Sequence, residues 1–197
     1  MNATAQRIHD GGADDPALVR AAQAGEQAAF ETIVKRYQRA LYRVAYGLTR
    51  RAADADDLAQ EAFVRAYRAI GTFRADEPLY PWLSRITVNL AYSLFRQRKR
   101  RPEAELEPLL EAGHEWAAVD DTVGQVEGNE QLAQLRASFA ELSPQHQAIL
   151  VLRIMQDQSY DEIARTLNVP IGTVMSRLSR ARAELKSRLK ARSGEVT

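Results

Sequence analysis

Hydrophobic positions recur at helical spacing along most of the chain. Phe30, Ile33, Tyr37, Leu41, Val44 and Leu48 stand three, four, four, three and four residues apart, which predicts a long amphipathic helix. Leu58, Ala62, Ala66 and Ile70 line one face of a second helix over residues 54–70, with Phe63 and Tyr67 beside them. Trp82, Leu83, Ile86, Leu90 and Leu94 stripe a third over residues 79–101, and Pro81 fits its first turn. Ahead of these, Asp15-Pro16 reads as an N-cap followed by proline, opening a helix that stops at Gly25. Further on, Leu132, Leu135, Phe139 and Leu142 resume the period. Ser143-Pro144 then caps a helix holding Ile149, Leu150 and Leu152. No strand alternation and no solenoid-length repeat interrupts this pattern. The expected fold is all-α.

The strongest local signal lies at residues 159–192. Ser159 and Glu162 form a capping box, so a helix begins at Tyr160 with Ile163, Ala164 and Leu167 inward. Asn168 tolerates the left-handed turn that ends it. A second helix starts near Pro170 and buries Val174, Leu178, Ala181, Leu185 and Leu189. Its other side holds Thr173, Ser176, Arg177, Ser179, Arg180 and Arg182. A short helix, a tight turn and a basic second helix make a helix-turn-helix, and the small Ala164 suits their close approach. A plain helical hairpin with solvated arginines is the competing interpretation. The cap, the turn and the one-sided charge together favour the helix-turn-helix.

Composition narrows the classes. The chain has 197 residues, 45% hydrophobic and 27% charged, enough for modest cores. With no cysteine there are no disulfides or thiolate metal sites, which suits a reducing cytoplasm. His9, His114 and His146 lack metal-ligand spacing, so no metal or other cofactor is expected. No apolar run approaches the roughly 18 residues of a membrane span, so no membrane insertion is expected. The polar N-terminus is no signal peptide.

The net charge of +1 says little, but its distribution says more. Residues 96–101 hold five basic residues in six. Residues 102–135 hold nine acids and no Lys or Arg, and residues 172–192 hold seven basic residues against Glu184 alone. Two basic regions around an acidic stretch imply two phosphate-facing surfaces. The Pro- and Gly-containing residues 102–130 read as a flexible acidic linker between two small helical domains, residues 16–101 and 131–192. Residues 1–15 read as a disordered tail.

Asp54, Asp56, Asp57 and Glu61 crowd the start of the second helix. Acids favour a helix N-terminus, and four in eight residues would also make a protein-docking face. From these residues alone both interpretations stand. On the third helix, Tyr80, Arg85, Thr87, Asn89 and Tyr92 lie between the apolar positions and lead into the basic run. Aromatics, an amide and cations on one element suit single-strand binding, although Trp82 fits a core better than a stacking platform. There is no glycine-rich phosphate loop, no His-Glu-x-x-His and no nucleophile–base–orienter set. Asp56 and Asp57 are adjacent, so on a helix they point apart, and a polar surface is expected for both. An enzyme is not expected.

These residues carry a family resemblance. Asp54-Ala-Asp-Asp-Leu-Ala-Gln-Glu-Ala-Phe63, Phe73-Arg74, Trp82-Leu-Ser-Arg-Ile86 with Asn89, Tyr160-Asp-Glu-Ile-Ala164 and Gly172-Thr-Val-Met-Ser-Arg177 resemble bacterial sigma factors. The two-domain layout is similar to the extracytoplasmic-function group. The resemblance implies a subunit that binds RNA polymerase core and directs it to promoter DNA, with an anti-sigma factor as its regulator. It implies core contacts at Asp54, Asp57, Gln60 and Glu61. It implies −10 contacts from residues 79–101: Tyr80, Arg85, Asn89 at a pocket for a flipped base, and Arg96, Arg98, Lys99 and Arg100 on phosphates. It implies −35 contacts at Thr173, Met175, Ser176, Arg177, Ser179 and Arg180. Three residues depart from the family's habit: Met175 replaces a frequent Arg or Lys, Ser179 a larger residue, and Ser84 a tyrosine. In a free protein of this kind the domains could fold on each other and hide both DNA faces. The rival is a stand-alone helix-turn-helix regulator of duplex operators, which would leave residues 54–61 and 80–89 without a task.

Overall fold

The computed structural model describes residues 14–100 and 130–192. The expected tail lies outside them up to residue 13, as do Arg101 and the expected linker up to residue 129. The described elements are α1 (Asp15–Gln23), α2 (Gln27–Thr49), α3 (Ala52–Ala69), a 3₁₀ turn (Ile70–Thr72) and α4 (Leu79–Arg100). After the gap come α5 (Glu130–Ala140), α6 (Pro144–Leu150), a π turn (Val151–Met155), α7 (Tyr160–Leu167) and α8 (Ile171–Arg192). Among the described residues there is no strand.

In the N-terminal domain, α2 packs against α1, α3 and α4. Phe30, Ile33, Tyr37, Leu41, Val44 and Leu48 are all buried, as their spacing requires. The facing stripe of α3 is small, with Ala55, Ala59, Ala62 and Ala66 buried, so the two helix backbones come close. Trp82 is half-buried and stacks on Phe73 at 4.5 Å, which places it in the packing as expected. The start of α1 differs from expectation. Asp15 is its first helical residue and Asp14 precedes it. The Asp15 carboxylate is buried and accepts from the Tyr37 hydroxyl and the Arg36 guanidinium, so it ties α1 to α2 rather than capping a helix. Gly25, at φ 94°, turns the chain out of α1.

The C-terminal domain begins with α5 and α6. Ser143 caps α6 by accepting from the His146 amide at 3.2 Å. The Gln147 side chain donates to the carbonyls of Phe139, Ala140 and Leu142 at 3.1 Å each, closing the α5–α6 turn. The capping box is formed at both ends: the Ser159 oxygen accepts from the Glu162 amide at 3.2 Å, and the Ser159 amide donates to Glu162 Oε2 at 2.7 Å. Asn168 ends α7 at φ 53°. Val174, Leu178 and Ala181 of α8 are buried, whereas Leu185 and Leu189 further along the same stripe are only half-buried.

The two domains fold against each other. The α4 helix lies on α7 and α6, and α2 lies on the π turn. The seam is close because Gly47 on α2 has no side chain; a Cβ there would sit 2.8 Å from Val151 Cγ1 and 3.0 Å from the Met155 sulfur. Arg50, in the left-handed region at φ 57°, lays its guanidinium 5.4 Å over the Phe139 ring.

Candidate docking and nucleic-acid interfaces

The acidic turn of α3 divides into structural and open acids. Asp54 is turned inward, its side chain 15% exposed, and accepts two hydrogen bonds from Arg98 Nη2 at 2.7 and 2.8 Å. Asp56 is buried, which corrects the polar-surface expectation for it. Burial first, and then the Asp56 charge, push the nearby Tyr42 phenol upward. Asp57 and Gln60 are exposed, and half-buried Glu61 accepts from Arg65 Nε at 2.8 Å. Val64 and Tyr67, 42% and 56% exposed, continue this side of α3 by two more turns. Tyr67 stands beside the apolar face of α3, as its spacing predicts. Its ring is packed edge-on against Phe30 at 5.0 Å, with its other side open.

The α4 residues also separate. Asn89, Arg96, Lys99 and Arg100 are exposed, with Arg96 donating to Ser93 Oγ at 3.1 Å. Arg98 is drawn back to Asp54. Tyr80 does not face solvent, against the expectation of a ring offered to a base. It is buried, stacks on Tyr37 at 5.9 Å and donates its hydroxyl to Gln156 Oε1 at 3.2 Å. Burial pushes this phenol up to about 12, so it stays a donor. Arg85 is half-buried and donates from Nε to the Arg165 carbonyl at 3.1 Å, closing the end of α7. Ser84 is fully buried, so a tyrosine side chain there would require repacking.

On α8, Met175, Ser176, Ser179 and Arg180 are exposed opposite the buried Val174, Leu178 and Ala181. Thr173 and Arg177 are half-buried. Burial pushes the Tyr92 phenol of α4 up to about 12, and the Arg177 charge is near enough to oppose this. Tyr160, Met175, Leu178, Ser179 and Arg182 line an open groove of about 260 Å³. The Arg153 guanidinium lies 5.7 Å over the Tyr160 ring.

Residues 33–101 match Sigma-70 region 2, and residues 132–185 match Sigma-70, region 4. The chain belongs to the sigma-70 family. It is 34% identical over 180 residues to the RNA polymerase sigma-H factor of Pseudomonas aeruginosa, covering 89% of this chain and 93% of that one. It is 35% identical over 182 residues to the ECF RNA polymerase sigma-E factor of Escherichia coli K12, covering 89% and 94%. Among solved structures it resembles CnrH in complex with the cytosolic domain of CnrY, with a TM-score of 0.62 and 28% identity over 90% of this chain and 97% of that one. It also resembles the sigma factor RpoE in complex with the anti-sigma factor NepR from Bartonella quintana. There the TM-score is 0.60 and the identity 26%, over 82% of this chain and 96% of that one. A sigma factor of the extracytoplasmic-function group accounts for residues 33–101, which a stand-alone operator-binding regulator would not.

Proposed function

We propose that this sigma factor binds RNA polymerase core with the open side of α3 and reads a promoter twice, with α4 and with α8. The observation that supports this most is the order on one chain of a region 2 and a region 4, each presenting exposed polar or basic residues. Asp57, Gln60 and Glu61 are the proposed core contacts, and Asp54 holds the end of α4 in place beside them. Asn89 takes an unstacked −10 base, and Arg96, Lys99 and Arg100 take phosphates. Unstacking costs a few kcal/mol, which stacking and hydrogen bonds at the pocket must recover. Ser176 and Arg180 face the −35 duplex together with Met175 and Ser179, with the half-buried Thr173 and Arg177 at the margin of that surface.

The proposed work is binding, with no bond made or broken by the protein and no cofactor. An anti-sigma factor is the proposed regulator, because the similar RpoE structure is a complex with the anti-sigma factor NepR. Such a protein acts in the cytoplasm, where polymerase and promoter are. Among the described residues, no helix is long and apolar enough to cross a membrane.

The test is a pull-down with core polymerase followed by run-off transcription from genomic fragments. Asp57→Arg should weaken core binding, whereas Asn89→Ala should retain core binding and lose strand opening. If the wild-type chain neither binds core nor starts transcripts, the proposal fails. Equal loss of both activities in both variants would place the defect in folding instead.

A further inference from the structure

Met175 is an apolar side chain in a surface otherwise built for an anion. It is 55% exposed on α8, and Ile171, one turn earlier, is 44% exposed. The pair forms a short apolar ridge at the N-terminal end of the helix, the end whose side chains reach base edges in this motif. Around the ridge stand the Ser176 and Ser179 hydroxyls and the exposed Arg180 and Arg182. Residues 172–192 carry seven basic residues against Glu184, so a polyanion is the fitting occupant rather than an apolar peptide.

In the major groove of a duplex, the four bases offer donors, acceptors and one kind of apolar group, the C5-methyl of thymine. Met175 can neither donate to guanine nor accept from cytosine or adenine in the manner of Arg, Glu or Asn. Its thioether is unbranched and adaptable, so it can close over a small apolar group. Beside it, Tyr160, Leu178 and Ser179 line the open groove of about 260 Å³, an apolar-edged recess next to the Met175 side chain.

We infer that Met175 selects a thymine in the −35 duplex by burying its methyl group against the Met175–Tyr160 side of α8. This rests on the assignment of α8 to the −35 element. Arg182, which lines the same side, holds a flanking phosphate and sets the depth of insertion.

The experiment uses holoenzyme assembled from purified core and the full chain. Promoter duplexes randomised across the −35 positions are selected by holoenzyme, and the preferred sequence is remade with each thymine in turn replaced by deoxyuridine, which lacks only the methyl. Burying one methyl-sized group is worth about fourfold in an equilibrium constant. Equilibrium competition should therefore show one thymine at which the uracil duplex binds the wild-type holoenzyme about fourfold more weakly. The Met175→Ala holoenzyme should bind the two duplexes alike, and selection with Met175→Arg should move that position towards guanine. A wild-type holoenzyme that transcribes the selected promoter but ignores the methyl at every position overturns the inference alone. So does a uracil penalty that persists undiminished in Met175→Ala. A holoenzyme that selects no duplex and starts no transcript removes the sigma reading itself, and the inference with it.

Discussion

Asp54 and Arg98 meet across the α3–α4 seam, and their pairing reassigns both. Each was expected on a binding surface, Asp54 towards core and Arg98 towards phosphate. Instead, two hydrogen bonds hold them together with 15% and 27% of their side chains exposed. Removing one partner leaves the other's charge partly desolvated, so Asp54→Ala should cost roughly 1–2 kcal/mol after allowance for that exposure. Asp57→Ala, on an open surface, should change stability by less than about 0.5 kcal/mol. Urea unfolding of the two variants distinguishes them; equal midpoints would return Asp54 to the docking face. The acidic cluster is legible in the sequence, because four acids in eight residues stand out locally. Which acid is consumed by packing is not legible. Its partner lies 44 residues away, and only the register of α3 against α4 brings them together.

At the scale of elements, local chemistry carries the helix-turn-helix and distant chemistry carries its anchoring. The cap, the helix start and the left-handed stop at Asn168 all follow from side chains within a few residues, and all three are present in the fold. Ser159→Ala should therefore lower the melting temperature through a loss of about 1 kcal/mol, while Asn168→Gly should be close to neutral. The π turn at Val151–Met155 has no such local signal. The far half of α8 is held by ions rather than by a long apolar stripe. Glu184 accepts from Arg188 at 2.7 Å and meets His146 Nδ1 at 2.7 Å, and Arg188 also reaches Glu141 at 2.7 Å. The Arg188 guanidinium, and then His146, hold the Glu184 carboxyl below the ordinary 4.5. A depressed carboxyl stabilises the fold above its ordinary value and loses that contribution as pH falls through and below it. Circular dichroism should thus show α8 loosening below about pH 4.5, with the acid-dependent part reduced in Glu184→Gln. An unchanged acid profile in that variant would remove the network from the explanation.

At the scale of the whole molecule, the closed packing and the proposed double reading are in conflict, and magnitudes decide how. The −10 and −35 elements lie about 25 base pairs apart, roughly 85 Å of duplex at 3.4 Å per step. Here α4 packs directly on α7, and Arg85 is bonded to the Arg165 carbonyl. The expectation that closure would hide both DNA faces holds only in part. Tyr80 is covered and Arg85 is half-covered, but Asn89, Met175, Ser176, Ser179 and Arg180 stay exposed. Separation, more than occlusion, is what bars the closed form from a promoter. The chain from Arg100 to Glu130 reaches at most about 100 Å when extended, so it is long enough to let the domains part. Gly47 offers a clean way to make them part. Alanine there would press 2.8 Å from Val151 Cγ1, and a β-branched side chain in a helical turn has no second rotamer to retreat to. Overpacking of this kind costs roughly 1–3 kcal/mol, charged to the seam alone. Within α2 the same change favours the helix by about 1 kcal/mol. Gly47→Ala should therefore enlarge the radius of gyration of the free protein in small-angle scattering without lowering the stability of the N-terminal domain. Adding Val151→Ala removes the obstructing methyls and should restore the compact radius. If the single variant stays as compact as the wild type, the Gly47–Val151 contact is not what governs closure.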